Sequence, residues 1–104
     1  MTKQQFREWV LEGIRVLDGA TGTELQKRGM PSGVCPEQWV CENPNVLIEI
    51  QKEYIENGSD IVYTCTLGGN GLKLKDYGID DVVRINREAA RISKKAADGK
   101  ALVA

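Results

Sequence analysis

The chain has 104 residues, of which 41% are hydrophobic and 28% are charged, and its formal net charge is −1. This length suits one small domain and excludes two. The balanced charge excludes the basic surface by which proteins bind nucleic acids or anionic membranes. No stretch approaches the roughly 20 apolar residues that span a bilayer, and the N-terminus lacks the apolar region of a secretory signal, so we expect a cytoplasmic globular protein.

Three cysteines and no histidine limit the metal and redox chemistry of the chain. The odd number of cysteines argues against a disulfide framework, and their spacing does not match the Cys-x-x-Cys pairs of a zinc site. We therefore expect ordinary thiols at Cys35 and Cys41 and no complete metal site within these residues.

The first part of the chain predicts two helices around one strand. Apolar residues at helical spacing indicate a helix over residues 2–13, with Thr2 as its N-cap. A strand over residues 14–18 and a short helix over residues 21–28 follow. Residues 30–42 contain prolines and glycine without clear periodicity and are predicted to be a loop.

The rest of the chain alternates helix and strand. Asn43-Pro44 predicts a helix start, because Asn caps well and Pro suits the first helical position. That helix ends at Gly58. Four further segments are predicted by the same criteria: a strand over 60–65, a loop over 67–78 with one or two helical turns near 72–75, a helix capped by Asp80 that runs to Ala97, and a third strand over 101–104.

The predicted order, βαβαβ after an N-terminal helix, indicates an α/β fold with parallel strands and right-handed crossovers. A doubly wound sheet and a (β/α)₈ TIM barrel both accept this order. A barrel needs roughly 250 residues, so residues 1–104 would form an incomplete barrel domain of about three βα units, truncated in the third strand. Its unpaired strand edge would favour self-association. A small complete three-stranded domain is the alternative.

Polar residues follow both full strands, where the carboxyl ends of parallel strands meet at one edge. Asp18 and Gly19 follow the first strand, and Thr64 and Thr66 end the second. A carboxylate suits an ammonium group, whereas hydroxyl and glycine N–H groups suit a carboxylate. Together they predict a pocket for a small zwitterion such as an amino acid.

Two other interpretations of these residues remain open. Asp18 and Thr21 are residue types that cap helices, and a short helix follows them. The glycines at 19 and 22 also partly match the phosphate-binding turn of a dinucleotide site. That match lacks a third glycine, since Leu25 stands at its position.

Several runs of the sequence resemble the homocysteine S-methyltransferase family, in order and over nearly the whole chain from Val16. The resemblance is strongest to the homocysteine-binding module of cobalamin-dependent methionine synthases. The matching runs are VLDGATGTEL at 16–25, YIENGSDIV at 54–62, TCTLGGN at 64–70, LKLKDYG at 72–78 and INREAAR at 85–91.

The resemblance implies a (β/α)₈ barrel that transfers a methyl group to the thiol of homocysteine in methionine synthesis. It implies a cysteine-held zinc ion that activates the thiol, a methyl donor that is a corrinoid, a sulfonium or a betaine, and further barrel, corrinoid or folate domains. The family's substrate-binding positions map onto Asp18, Gly19, Thr64 and Thr66. Its zinc ligands come from late barrel strands, outside this chain.

Two residues depart from the family pattern at the expected pocket mouth. Cys65 stands where the nearest relatives often have Asn, and Leu67 stands where the family has an aromatic residue. The methyl acceptor and donor are therefore left open. We expect a methyltransferase in the full-length protein and no catalysis by residues 1–104 alone. The alternative is a small-molecule-binding or assembly module.

Overall fold

The computed structural model describes all 104 residues and contains six helices and two short strands. In chain order these elements are α1 (Lys3–Leu11), α2 (Gly22–Lys27), α3 (Pro36–Glu42), α4 (Pro44–Glu56), β1 (Ile61–Val62), α5 (Gly71–Lys75), α6 (Val82–Ala97) and β2 (Leu102–Val103). None of the helices combines the length and the apolar character needed to cross a membrane.

Three parallel extended segments lie side by side in chain order. β1 pairs with β2 in register Ile61 to Leu102, and a single parallel bridge joins Leu17 to Ile61. The Asp18 N–H donates to the Ile61 carbonyl at 2.9 Å, and the Ile61 N–H donates to the Val16 carbonyl at 3.2 Å. The parallel βαβαβ order is therefore confirmed, although the first predicted strand is reduced to this short ladder.

The core lies between the helices and one face of the strands. α4 and α6 pack against each other, α4 also contacts β1, and α6 also contacts β2. Each fully buried Leu or Ile side chain contributes about 1.5–3 kcal/mol. The main cluster of buried side chains comes from α2, α3, α4, α6 and the α2–α3 loop: Leu25, Met30, Val40, Leu47, Ile48, Ile50, Ile92 and Ala96.

The other face of the strands has much less cover. Successive strand residues point to opposite faces, so Ile61 and Tyr63 lie opposite the fully buried Val62. There they line a groove with Phe6 of α1 and with Leu102. No residue of α1 is buried, and the radius of gyration, 14.4 Å, exceeds the roughly 13 Å of a compact domain of this size. The layer is thus covered mainly on one side.

The prediction of a loop over residues 30–42 is wrong, because α3 occupies its second half. Pro36 takes the first position of this helix, where its missing N–H has no cost. Val40 is fully buried in the core. Two turns of helix with one buried apolar residue are too short to show a helical period.

Of the three predicted helix caps, Thr2 is confirmed, Asn43 holds the N-cap position without a capping bond, and Asp80 is wrong. Thr2 does cap α1, with a reciprocal bond from the Gln5 side chain. The helix start predicted at Asn43-Pro44 is confirmed, since Asn43 stands at the N-cap of α4 and Pro44 follows in its first turn. The Asn43 side chain makes no capping bond, and its amide N–H donates to the Trp39 carbonyl of α3 at 3.0 Å. α6 begins at Val82, so Asp80 lies outside its N-cap position.

Candidate active site

The four predicted substrate-binding residues all line one cavity of about 470 Å³ at the carboxyl ends of the extended segments. The first extended segment, which pairs through Leu17, contributes Asp18 and Gly19. The residues that follow β1 contribute Thr64 and Thr66. The other lining residues come from the turns after these segments, from α2 and from the start of α3: Thr21, Gly22, Leu25, Pro36, Glu37, Tyr63, Cys65 and Leu67.

The Asp18 carboxylate ends the ladder between the first segment and β1. Its Oδ2 accepts the Tyr63 N–H at 3.2 Å, where a regular ladder would use a backbone carbonyl. The Tyr63 carbonyl accepts from the buried Gln51 amide at 2.8 Å. Burial raises the pKa of Asp18, and the bond from the Tyr63 N–H opposes that shift. Asp18 is therefore held facing the cavity.

The interpretation of Asp18 and Thr21 as helix caps is wrong. Thr21 precedes α2 but makes no side-chain capping bond, and the Asp18 carboxylate bonds to Tyr63 instead. The dinucleotide interpretation also fails, since α3 occupies the region where a second strand would have to deliver a ribose-binding acid.

Gly19 allows the chain to pass close to Tyr54 of α4. A Cβ at Gly19 would lie 3.0 Å from the Tyr54 hydroxyl oxygen, and that hydroxyl donates to the Ala20 carbonyl at 2.9 Å. The N–H groups of Gly19 and Ala20 donate to no backbone carbonyl. Of these two residues, Gly19 lines the cavity.

Thr64 and Thr66 place two hydroxyl groups side by side in the cavity wall. Their Oγ1 atoms are 2.7 Å apart, so one hydroxyl donates to the other. The Thr64 N–H donates to the Ala104 carbonyl at 2.8 Å, which extends the ladder with β2. One hydroxyl proton of the pair is left for a ligand.

The pocket cysteine, Cys65, is a partly buried thiol. Cys65 packs against the main core, and burial raises its pKa to about 12, with a smaller contribution from the negative charge of Glu37. Burial also raises the pKa of Cys35 and of Cys41. Nowhere in the 104 residues do three or more metal-ligating side chains come together, so the residues present do not fit a zinc site.

Glu37 is a cavity residue that the sequence analysis missed. Its side chain is only 6% exposed, and its Oε1 accepts the Gly68 N–H at 2.7 Å. Its Oε2 accepts the Cys35 S–H at 3.3 Å. The available signal was Pro36-Glu37 itself, because carboxylates favour the first turn of a helix.

Comparisons with known proteins agree with the resemblance. The profile of the homocysteine S-methyltransferase family matches residues 15–104. The methionine synthase of Mycobacterium leprae is 35% identical over 100 aligned positions that cover 88% of this chain. The methionine synthase of Mycobacterium tuberculosis is 36% identical over 94 positions that cover 82%. The chain spans only 8% of the length of each of these relatives.

Solved structures show a similar fold. The homocysteine methyltransferase MmuM from Escherichia coli superposes with a TM-score of 0.73 in its oxidized form and 0.79 in its metallated form. Identity is 24% and 23%, and the matches cover 88% and 95% of this chain but 36% and 39% of the solved chains. The match of the family profile to 90 consecutive positions, together with these relatives, leads to one conclusion: the chain belongs to the homocysteine S-methyltransferase family.

Proposed function

We propose that residues 1–104 form the first three βα units of a (β/α)₈ barrel and bind the amino-acid part of homocysteine in a methyltransferase. The observation that supports this most directly is the single cavity lined by Asp18, Gly19, Thr64 and Thr66. Family membership supplies the reaction, which is methyl transfer to the homocysteine thiol.

The charges around the cavity complement a zwitterion. The Asp18 carboxylate uses one oxygen for the Tyr63 N–H, which leaves the other oxygen for an ammonium group. Gly19 lines the cavity and its N–H has no backbone acceptor, so we assign that N–H to the carboxylate. A threonine hydroxyl proton adds a further donor. Both ends of an α-amino acid are thereby matched.

We assign these residues substrate binding and no chemical step. The residues present do not fit a zinc site, so the zinc ligands and the group that carries the methyl donor lie outside them in this proposal. A corrinoid donor and further domains are proposed for the full-length protein, because two of its relatives are methionine synthases many times longer than these residues. Residues 1–104 alone are expected to bind substrate without methyl transfer.

Calorimetric titration of the purified protein with L-homocysteine tests this proposal. Two analogues serve as matched controls: 4-mercaptobutanoate lacks the ammonium group, and 3-aminopropanethiol lacks the carboxylate. Each lost contact to a charged group should weaken binding by about 5- to 150-fold. Equal affinity for all three thiols would refute the zwitterion pocket.

The binding-module alternative makes a different prediction. A native polypeptide of this length that binds homocysteine without metal would favour a binding or assembly role. A native polypeptide of roughly 30 kDa or more, as a complete barrel requires, would favour the enzyme. Intact-mass measurement in the source cells distinguishes the two.

A further inference from the structure

The turn that follows β1 is bonded to two other helices. In this turn the Gly69 N–H donates to the Thr66 carbonyl at 2.9 Å. The Gly68 N–H donates to Glu37 Oε1 of α3 at 2.7 Å, and Asn86 of α6 donates its amide N–H to the Gly69 carbonyl at 2.6 Å. Both faces of the turn are therefore fixed by side chains distant in sequence.

Close contact accounts for the two glycines in this turn. A Cβ at Gly68 would lie 2.9 Å from Glu37 Oε1, and a Cβ at Gly69 would lie 2.9 Å from Asn86 Oδ1. Neither glycine has a positive φ, so the backbone conformation does not require them. They are small because the Glu37 and Asn86 side chains occupy the adjacent space.

The turn carries one of the cavity hydroxyls. Thr66 begins the turn, and its hydroxyl is paired with that of Thr64. Leu67, the next residue, is 99% exposed, so no packing of its own side chain holds the turn in place. The Thr66 N–H donates to the Thr64 carbonyl at 2.9 Å, and beyond this local bond the turn that carries the Thr66 hydroxyl is held by the bonds to Glu37 and Asn86.

Glu37 lines the same cavity, so its carboxylate has two conceivable roles: counter-charge for a ligand's ammonium group, or anchor for the turn. Both of its oxygens are already engaged within the chain, one by the Gly68 N–H and the other by the Cys35 S–H. Asp18 bonds through one oxygen only. The geometry therefore favours Asp18 as counter-charge and Glu37 as anchor.

We propose that Glu37 is a positioning residue for the substrate: it holds the Gly68 amide so that the Thr64–Thr66 hydroxyl pair stays in the cavity wall. This inference rests on the proposed function of that cavity. It assigns to Glu37 a role in affinity that acts through the turn and does not depend on its charge.

Two conservative variants separate position from charge. Glu37→Gln removes the charge but keeps an oxygen at the same reach for the Gly68 N–H. Glu37→Asp keeps the charge but is one methylene shorter and cannot reach that N–H. Glu42→Gln is the matched control, since Glu42 is an exposed glutamate on the same helix. Homocysteine affinity is measured by calorimetry, and hydrogen exchange is measured on the peptide that contains Gly68.

Glu37→Gln should bind homocysteine within about threefold of the parent, whereas Glu37→Asp should bind at least about fivefold more weakly and lose protection of the Gly68 amide. The reverse order of affinities would overturn the proposal in favour of the counter-charge role. Should Glu37→Asp not fold, Gly68→Ala provides the same test, because its Cβ displaces Glu37 from the turn.

Hydrogen exchange distinguishes failure of this proposal from failure of the proposed function. A parent protein that does not bind homocysteine, but whose Gly68 protection is lost in Glu37→Asp and kept in Glu37→Gln, would refute the proposed function and retain Glu37 as the anchor. Equal exchange of the Gly68 peptide in all variants would overturn the anchor itself.

Discussion

Replacing Asp18 by Asn should separate the binding role of this side chain from its role in the fold. The carboxylate accepts one N–H within the chain, from Tyr63 at 3.2 Å, and the Asn side-chain oxygen can accept the same N–H. We therefore expect Asp18→Asn to change the free energy of unfolding at pH 7 by no more than about 0.5 kcal/mol.

The pH dependence of that small change has a definite sign. Burial raises the pKa of Asp18 above its ordinary value of 3.8, so the native state keeps this proton to higher pH than the unfolded state. Stability contributed by Asp18 therefore falls as pH rises from 3.8 through the raised folded pKa. The ionised carboxylate therefore opposes folding at neutral pH. The free energy of unfolding of Asp18→Asn, relative to that of the parent, should be lower below pH 3.8 than at pH 7.

Homocysteine affinity should respond much more strongly than stability. Loss of a charged contact to the ammonium group costs about 1–3 kcal/mol, equivalent to a 5- to 150-fold rise in Kd. Calorimetric titration at pH 7 measures it. Asp60→Asn is the matched control, because the Asp60 carboxylate also accepts a backbone N–H, that of Val16 at 2.9 Å, but lies outside the cavity. A Kd for Asp18→Asn within twofold of the parent, or an equal loss in Asp60→Asn, would refute the role of Asp18.

Two further predictions concern the cavity wall. The pKa of Cys65, raised from 9.0 to about 12 by burial, should make its alkylation at pH 8 about a thousandfold slower in the native protein than in denaturant. Stability should also fall as pH rises from 9 towards 12, since the unfolded thiol ionises first; equally fast native labelling would contradict the burial. Gly19→Ala should destabilise the protein by about 1–3 kcal/mol through the contact with Tyr54. Gly22→Ala, which meets no atom within 4 Å, should be neutral or stabilising by up to about 1 kcal/mol in chemical denaturation; equal effects of the two would refute the contact.

The long helices and the shared edge of the strands were predictable from the sequence. α4 and α6 span 13 and 16 residues, which is long enough for the apolar period of a helix to be visible in the sequence. The order of the helices along the chain then indicated where the strands lie. Because parallel strands end at one edge, Asp18 and Thr64 were expected to lie together, and both line the cavity.

The contributions of α3 were not predictable by the same means. A charged residue in a short helix usually faces solvent, whereas Glu37 is buried through bonds to Cys35 and to Gly68, which is 31 positions away. The capping bonds were not predictable for a related reason. Asn43 holds the N-cap position of α4, but its side chain makes no capping bond, and its amide N–H donates to the Trp39 carbonyl in the preceding helix. Which hydrogen bonds these side chains form depends on which groups the tertiary fold brings within reach of them.

The three extended segments pair in the order in which they occur in the chain, and this order affects how the chain can fold during synthesis. Each extended segment pairs with the segment that precedes it in the chain. Leu17 pairs with Ile61, 44 residues later, and Val62 pairs with Val103, 41 residues later. Synthesis at about 5–20 residues per second delivers such a stretch in several seconds. Formation of a helix or a short ladder takes microseconds. Each βα unit can therefore dock on its predecessor as it leaves the ribosome, before the next unit exists to compete for the same strand edge.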